Sequence, residues 1–230
     1  LLHPTVLDPQ AFAAEMGLGA DTGFRFARWV QTSTNFTWTL IIIYVELPLA
    51  VALVYAAEKA RGRHDGDVLT AFVSVGFFGY LCYHLCPVIG PRFFFENDWP
   101  RHAPDVAKLL FSPAYNAPNE LRNCIPSLHT SWALMLYWHA RPQNKAIRVF
   151  GAAFLVLTLM STVGLGWHYL VDLVIAFPFS LAVRAAFRST VSWKNRARSE
   201  AFTFGVVGTL LWIALIRGAA PAAAAHGWIS

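Results

Sequence analysis

The run WHYLVDLVIAFPFSLAVRAAF, residues 167–187, decides the fold class. A helix needs about 20 mostly apolar residues to cross roughly 30 Å of bilayer hydrocarbon, and this run meets that length with His168 and Asp172 at one end. Five further stretches qualify, some of them loosely: residues 36–57, 68–89, 125–139, which is short but aromatic-rich, 146–163 and 201–216. The expected fold is all-α, a polytopic membrane helix bundle with about six transmembrane helices and a long outward loop between the second and third. Glu46-Leu47-Pro48 interrupts the first stretch, and the expectation there is a kink whose carboxylate meets a partner helix.

Composition agrees with that reading. Apolar residues make up 56% of the chain and charged residues 13%, and the mean hydropathy is +0.45. These values exclude a disordered chain, a disulfide scaffold and a fibrous repeat. A net charge of +5 would suit nucleic acid in a soluble protein. In a membrane protein the same excess belongs on cytoplasmic loops, so no nucleic-acid partner is expected.

Lys and Arg in the short loops set the orientation. Lys59, Arg61 and Arg63 separate the first two stretches; Arg141, Lys145 and Arg148 flank the third-to-fourth turn; Arg184, Arg188, Lys194, Arg196 and Arg198 follow the fifth. Every second loop is thus basic and faces the cytoplasm. The loop 93–124, of mixed charge, and the uncharged turn 164–167 face outward. A bacterial inner membrane, with the site near the periplasmic face, is the expected setting.

Three parts are expected along the chain: an interfacial N-terminal segment, 1–31, a membrane-embedded catalytic bundle, 32–218, and an Ala-rich tail, 219–230. The N-terminal segment has neither an initiator Met nor a signal peptide, so upstream sequence, including a further spanning helix, is expected. The nine Trp suit an interfacial aromatic belt.

The chemistry concentrates at one membrane face. The second stretch ends at Gly90-Pro91-Arg92, the third starts at Pro126-Ser127-Leu128-His129, and the fifth starts at His168-Tyr169-Leu170-Val171-Asp172. Ionisable groups at membrane depth are costly and usually functional. His168 and Asp172 are four apart, which puts them on one helical face about 6 Å apart at Cβ. A carboxylate so placed holds one imidazole N–H, fixes the tautomer and raises the basicity of the other nitrogen. His168 then suits nucleophilic attack on phosphorus, with His129 protonating the departing oxygen. Arg92 offers a planar fork of donors to phosphoryl oxygens, and Ser127 with the backbone N–H groups opening the third helix offers more.

Pro126-Ser127-Leu128-His129 followed by Gly166-Trp167-His168-Tyr169-Leu170-Val171-Asp172 resembles the second and third signature motifs of the type 2 phosphatidic acid phosphatase superfamily. The branch containing inositol phosphorylceramide synthase is the most similar. The resemblance covers residues 80–187. It implies His168 as nucleophile, Asp172 as its orienting partner, His129 as general acid, and Ser127 and Arg92 as phosphate ligands, with no metal and no cofactor. The chain departs from the family pattern at four positions. Leu85 stands where the first motif has Lys, Pro91 precedes Arg92 rather than following it, Ser161-Thr162 replaces a Ser-Arg pair, and Leu128 replaces Gly. Arg122, four residues before Pro126, is a candidate replacement cation on the phosphate.

The leading expectation is an integral membrane lipid phosphatase or phosphotransferase acting on a phospholipid or lipid phosphate through a phosphohistidine. The alternative is a non-catalytic lipid or anion transporter or binding protein on the same fold. A third reading makes two His and one Asp a metal site with open positions. At single residues, Arg92 also fits simple snorkelling, Cys86 could pair with Cys124, and Phe93-Phe94-Phe95 suits either an interfacial float or an acyl path. Headgroup, acceptor and oligomeric state are not legible.

Overall fold

The computed structural model describes residues 5–18, 21–62, 68–110, 120–188 and 191–225, with side chains as far as 218. Arg63 of the first basic loop, the middle of the loop 93–124 and the end of the tail 219–230 lie outside the described residues. Every regular element among the described residues is helical.

The helices are α1 (Asp8–Gly17), α2 (Thr22–Gln31), α3 (Thr34–Val45), α4 (Leu47–Ala60), α5 (Val68–Leu85), α6 (Pro91–Phe94), α7 (Val106–Leu110), α8 (Leu128–Ala140), α9 (Lys145–Gly164), α10 (Leu170–Phe187) and α11 (Arg196–Ala225). Four of them, α5, α9, α10 and α11, are long and apolar enough to cross a membrane. The pair α3 and α4 passes the same test only when taken together. It is bent by 55° at Glu46, where Pro48 starts the second half. The kink is present, but the Glu46 carboxylate is exposed rather than packed on a partner helix. Helix α8, at 13 residues, is about 20 Å long, short of a bilayer core.

Helix α10 is the most enclosed of the four spanning helices. It packs against α5, α8 and α11, and α1 touches it from the N-terminal side. Local caps set where the surrounding helices begin: Ser33, Ser127 and Asn144 accept from Phe36, Thr130 and Ile147 backbone N–H groups at 3.4, 3.3 and 3.0 Å. At the far end of α10, Arg198 donates to the Ala185 and Ala186 carbonyls at 2.8 and 2.9 Å, closing the C-terminus with a cation where the helix dipole favours one.

A second polar tie holds the basic end of the bundle. Glu58 on α4 is buried; one oxygen lies 2.6 Å from Nδ1 of His139 on α8, and the other accepts the Val68 N–H at 3.1 Å where α5 begins. One carboxylate thereby joins three helices, and its two oxygens are both satisfied.

The N-terminal helices turn one face inward. Asp8, Ala11, Phe12 and Glu15 of α1 are buried at i, i+3, i+4 and i+7, the stripe of a helix packed on a core. Phe12 and Phe24 meet edge to face at 5.6 Å, and Phe95 packs against both at 5.2 Å. Of the Phe triplet, Phe94 is buried, Phe95 half-buried and Phe93 exposed.

Candidate active site

The site is built on the first turn of α10. Tyr169 is the N-cap and Asp172 the third helical residue. Asp172 Oδ2 accepts the Tyr169 backbone N–H at 2.9 Å, a reach-back that satisfies one of the orphan donors of a helix start. The same oxygen lies 3.2 Å from Nδ1 of His168, and both side chains are buried. The ring is therefore held against a carboxylate that is itself anchored to the backbone. Oδ1 of Asp172 has no hydrogen-bond partner among the described residues.

The turn before α10 is fixed by α9. The backbone N–H groups of Trp167 and His168 both donate to the Thr162 carbonyl, at 3.2 and 3.1 Å. Ser161 donates its hydroxyl to the Leu40 carbonyl on α3 at 2.9 Å. The pair Ser161-Thr162, which departs from the family pattern, thus works as scaffold for the histidine turn. Gly166 adopts φ +74°, and a Cβ there would collide with the Trp99 indole, so the turn needs a residue without one.

The other two motifs are hydrogen-bonded to this turn. The Ser127 N–H donates to the Asp172 carbonyl at 3.3 Å, which sets the start of α8 beside the start of α10. The Arg92 N–H donates to the Gly166 carbonyl at 2.8 Å, and the Cys124 N–H donates to Val88 at 3.3 Å. Gly90, at φ +99°, lies so close that a Cβ would meet the Trp167 carbonyl oxygen at 2.5 Å. Three stretches separated by tens of residues therefore share one backbone network.

The side chains differ in how they are committed. His129 is half-buried; its ring stacks on Tyr44 of α3 at 3.5 Å, and Tyr44 in turn lies 3.8 Å from the Trp167 ring. His129 thus stands one aromatic ring away from the residue next to His168. Ser127 is fully buried and its Oγ accepts the Thr130 N–H, so this hydroxyl serves as the α8 cap while its proton stays available as a donor to an anion. The Arg92 side chain is exposed. Arg122 is buried, with Nη1 donating to the Glu120 carbonyl at 3.0 Å.

Cys82, Cys86 and Cys124 are free thiols, so Cys86 and Cys124 are not paired. Cys124, His168 and Asp172 each offer one ligand atom, all within 4.8 Å of one another, a set of soft and borderline donors that suits a divalent transition metal. The fit is poor on one count. Burial holds the Cys124 thiol well above its usual range, with the negative charge of Asp172 adding to the effect. The thiol proton is directed at the Trp167 carbonyl at 3.3 Å, and a metal would have to displace it.

Two acidic residues join the site that motif spacing does not mark. Asp8 and Glu15 on α1 are buried. Glu15 Oε2 accepts the Leu170 N–H at 2.6 Å and Oε1 accepts the Gly23 N–H at 3.0 Å. Asp8 reaches Ile89, Gly90 and Tyr169. Burial pushes both carboxyls up to about 7, against the pull of these donors. The available signal was two lone acids seven residues apart in an otherwise apolar segment, two helical turns on one face. Tyr44 carried no such signal, because its neighbours come from α8 and the turn before α10.

A buried His–Asp pair at a helix start, with a second histidine and an arginine segment held at the same end of an apolar helical bundle, defines a class of polytopic helical proteins whose polar groups cluster at one end. A family model described as the PAP2 superfamily matches residues 10–186, more than half of the chain, and the chain belongs to that superfamily. Membership suggests phosphatase or phosphotransferase activity on lipid phosphates, and the superfamily is generally one of phosphoesterases. Searches among characterised proteins and among solved structures find no match to the chain.

Proposed function

We propose that the chain is a metal-independent lipid phosphatase or phosphotransferase that works through a phosphohistidine at His168, and that it belongs to the branch resembling inositol phosphorylceramide synthase. The observation that carries this reading is the His168–Asp172 pair, with Nδ1 3.2 Å from a carboxylate oxygen anchored by the Tyr169 N–H. A carboxylate on Nδ1 holds the proton there and leaves Nε2 with its lone pair for phosphorus.

In the first step Nε2 of His168 forms the N–P bond and the bond from phosphorus to the lipid oxygen breaks. His129 gives its proton to that oxygen. In the second step water or an alcohol attacks phosphorus, His129 takes back a proton, and the N–P bond breaks. Water yields a phosphatase and an alcohol yields a phosphotransferase. Arg92, Arg122 and the donors at the start of α8, Ser127 included, neutralise the phosphoryl oxygens during both steps.

The proposed architecture is a catalytic bundle, 32–218, of about six crossings, counting the bent α3–α4 pair as one and the short α8 as another. Residues 1–31 form an N-terminal segment and 219–230 a tail. The site faces the periplasm of a bacterial inner membrane, and the substrate is a lipid of the outer leaflet arriving laterally.

The test is turnover of a panel of lipid phosphates and of phosphatidylinositol by detergent-solubilised protein. Phosphate or phosphoryl-alcohol release is expected from the wild type, with a labelled phosphoprotein trapped on brief exposure. Turnover that survives His168→Ala overturns the nucleophile assignment.

A further inference from the structure

We propose that Asp8, on the N-terminal helix α1, is a positioning residue for the reaction: its carboxylate sets the conformation of the Ile89–Gly90 turn that leads into Arg92 and locks that turn to the residue following His168. The inference rests on the function proposed above.

The argument begins with the donors. Oδ2 of Asp8 accepts the Ile89 N–H at 3.0 Å; Oδ1 accepts the Gly90 N–H at 2.9 Å and the Tyr169 hydroxyl at 3.1 Å. Asp8 is fully buried, and all three of these donors belong to the chain itself. In its ionised form, which burial shifts to above about pH 7, the Asp8 carboxylate has only acceptor sites, and all three of its partners are donors. No other side chain of this length offers the same match. Asparagine keeps one acceptor oxygen but turns an NH2 group toward a backbone N–H or a hydroxyl, so at least one contact becomes donor against donor.

The placement of the donors gives the contact its consequence. Gly90 is held at φ +99°, one residue before Pro91 and two before Arg92, and the Arg92 N–H is bonded to the Gly166 carbonyl at 2.8 Å. Tyr169 directly follows His168 and caps α10. One buried carboxylate therefore joins the two chain segments whose relative position sets the arginine against the nucleophilic imidazole. Glu15, two turns further along α1, accepts the Leu170 N–H at 2.6 Å and so holds the same helix start. Any other arrangement of the two segments would leave this buried carboxylate short of donors, so its three bonds favour the one observed. That is the property a phosphoryl-transfer site needs, because small misplacements of reacting groups slow the step strongly.

The experiment uses the full chain in detergent, with Asp8→Asn, Asp8→Ala and Tyr169→Phe. It measures kcat and KM on a lipid phosphate, the melting temperature, and deuterium exchange at the Ile89 and Gly90 amides. Asp8→Asn is expected to lower kcat by about a hundredfold with KM nearly unchanged, and to expose both amides to exchange. A variant that melts lower yet keeps wild-type kcat makes Asp8 merely structural and overturns the proposal, as do amides that stay protected. If the Asp8 variants do not fold, Tyr169→Phe decides: it keeps the ring and removes one donor, so kcat must fall in the same direction. If the wild type turns over no lipid phosphate, the proposed activity has failed, and amide exchange alone decides whether Asp8 sets the turn.

Discussion

Nδ1 of His168 lies 3.2 Å from Oδ2 of Asp172, and that oxygen also accepts the Tyr169 N–H. The carboxylate is thus pinned by the backbone before it meets the ring. Asp172→Asn puts an amide in its place and removes the charge that stabilises the imidazolium. It is expected to lower kcat by about a thousandfold or more while the helix start stays formed. Steady-state kinetics with circular dichroism as the folding check measures this, and a loss below tenfold would remove Asp172 from the mechanism.

His168→Ala and His129→Ala should each reduce turnover by about a thousandfold or more, but in distinguishable ways. Removing His168 abolishes the labelled phosphoprotein. Removing His129 slows its formation least for substrates with good leaving groups, because an acidic leaving alcohol needs no proton. Rates measured on a series of leaving groups check the assignment.

Gly90→Ala adds a Cβ at φ +99° and 2.5 Å from the Trp167 carbonyl oxygen. The backbone strain alone is about 1–3 kcal/mol, because φ +99° with ψ +153° is a region essentially reserved for glycine, and the overlap adds about 1–3 kcal/mol. A lower melting temperature together with lost turnover is expected, since the turn carries Arg92 toward the His168 loop. Full activity in this variant would contradict the described turn.

Asp8 and Glu15 both have carboxyls raised to about 7 by burial, from ordinary values near 4. Between those limits the folded chain holds protons that the unfolded chain has released. Stability therefore falls as pH rises from about 4 to 7 and levels off above 7, as far as these two groups are concerned. Melting temperatures across that window should slope downward in the wild type. The slope should be shallower in Asp8→Asn and shallower again with Glu15→Gln; identical slopes would show that the two groups do not titrate in this range.

Exhaustive EDTA treatment is expected to leave turnover unchanged, because each proposed step uses only side chains of the chain itself. Loss of activity restored by a divalent metal would instead make Cys124, His168 and Asp172 a metal centre.

Much of the site is readable in one dimension. His168 and Asp172 are four apart on a helix, so local geometry alone brings them together, and the apolar runs around them announce spanning helices α5, α9, α10 and α11. The bend at Glu46 follows from Glu-Leu-Pro, but the exposed carboxylate does not, because the partner of a side chain is a property of packing. Ser127 reads from its motif as a phosphate ligand, and the folded chain adds a second role, the cap of α8, which its neighbours in sequence did not announce. Arg122 could be named as a spare cation from spacing, whereas its burial and its bond to Glu120 depend on how the loop folds.

The length of the apolar runs and the motif spacing by themselves determined that this chain is a helical membrane protein with a histidine–aspartate pair at one helix start. Tertiary structure alone decided that Asp8 and Glu15, about 150 residues from α10 in sequence, close around that start, and that Tyr44 lies against His129. The physical reason is range: a helical repeat relates residues within a few turns, while the donors that satisfy a buried carboxylate are supplied by whichever distant backbone the fold presses against it.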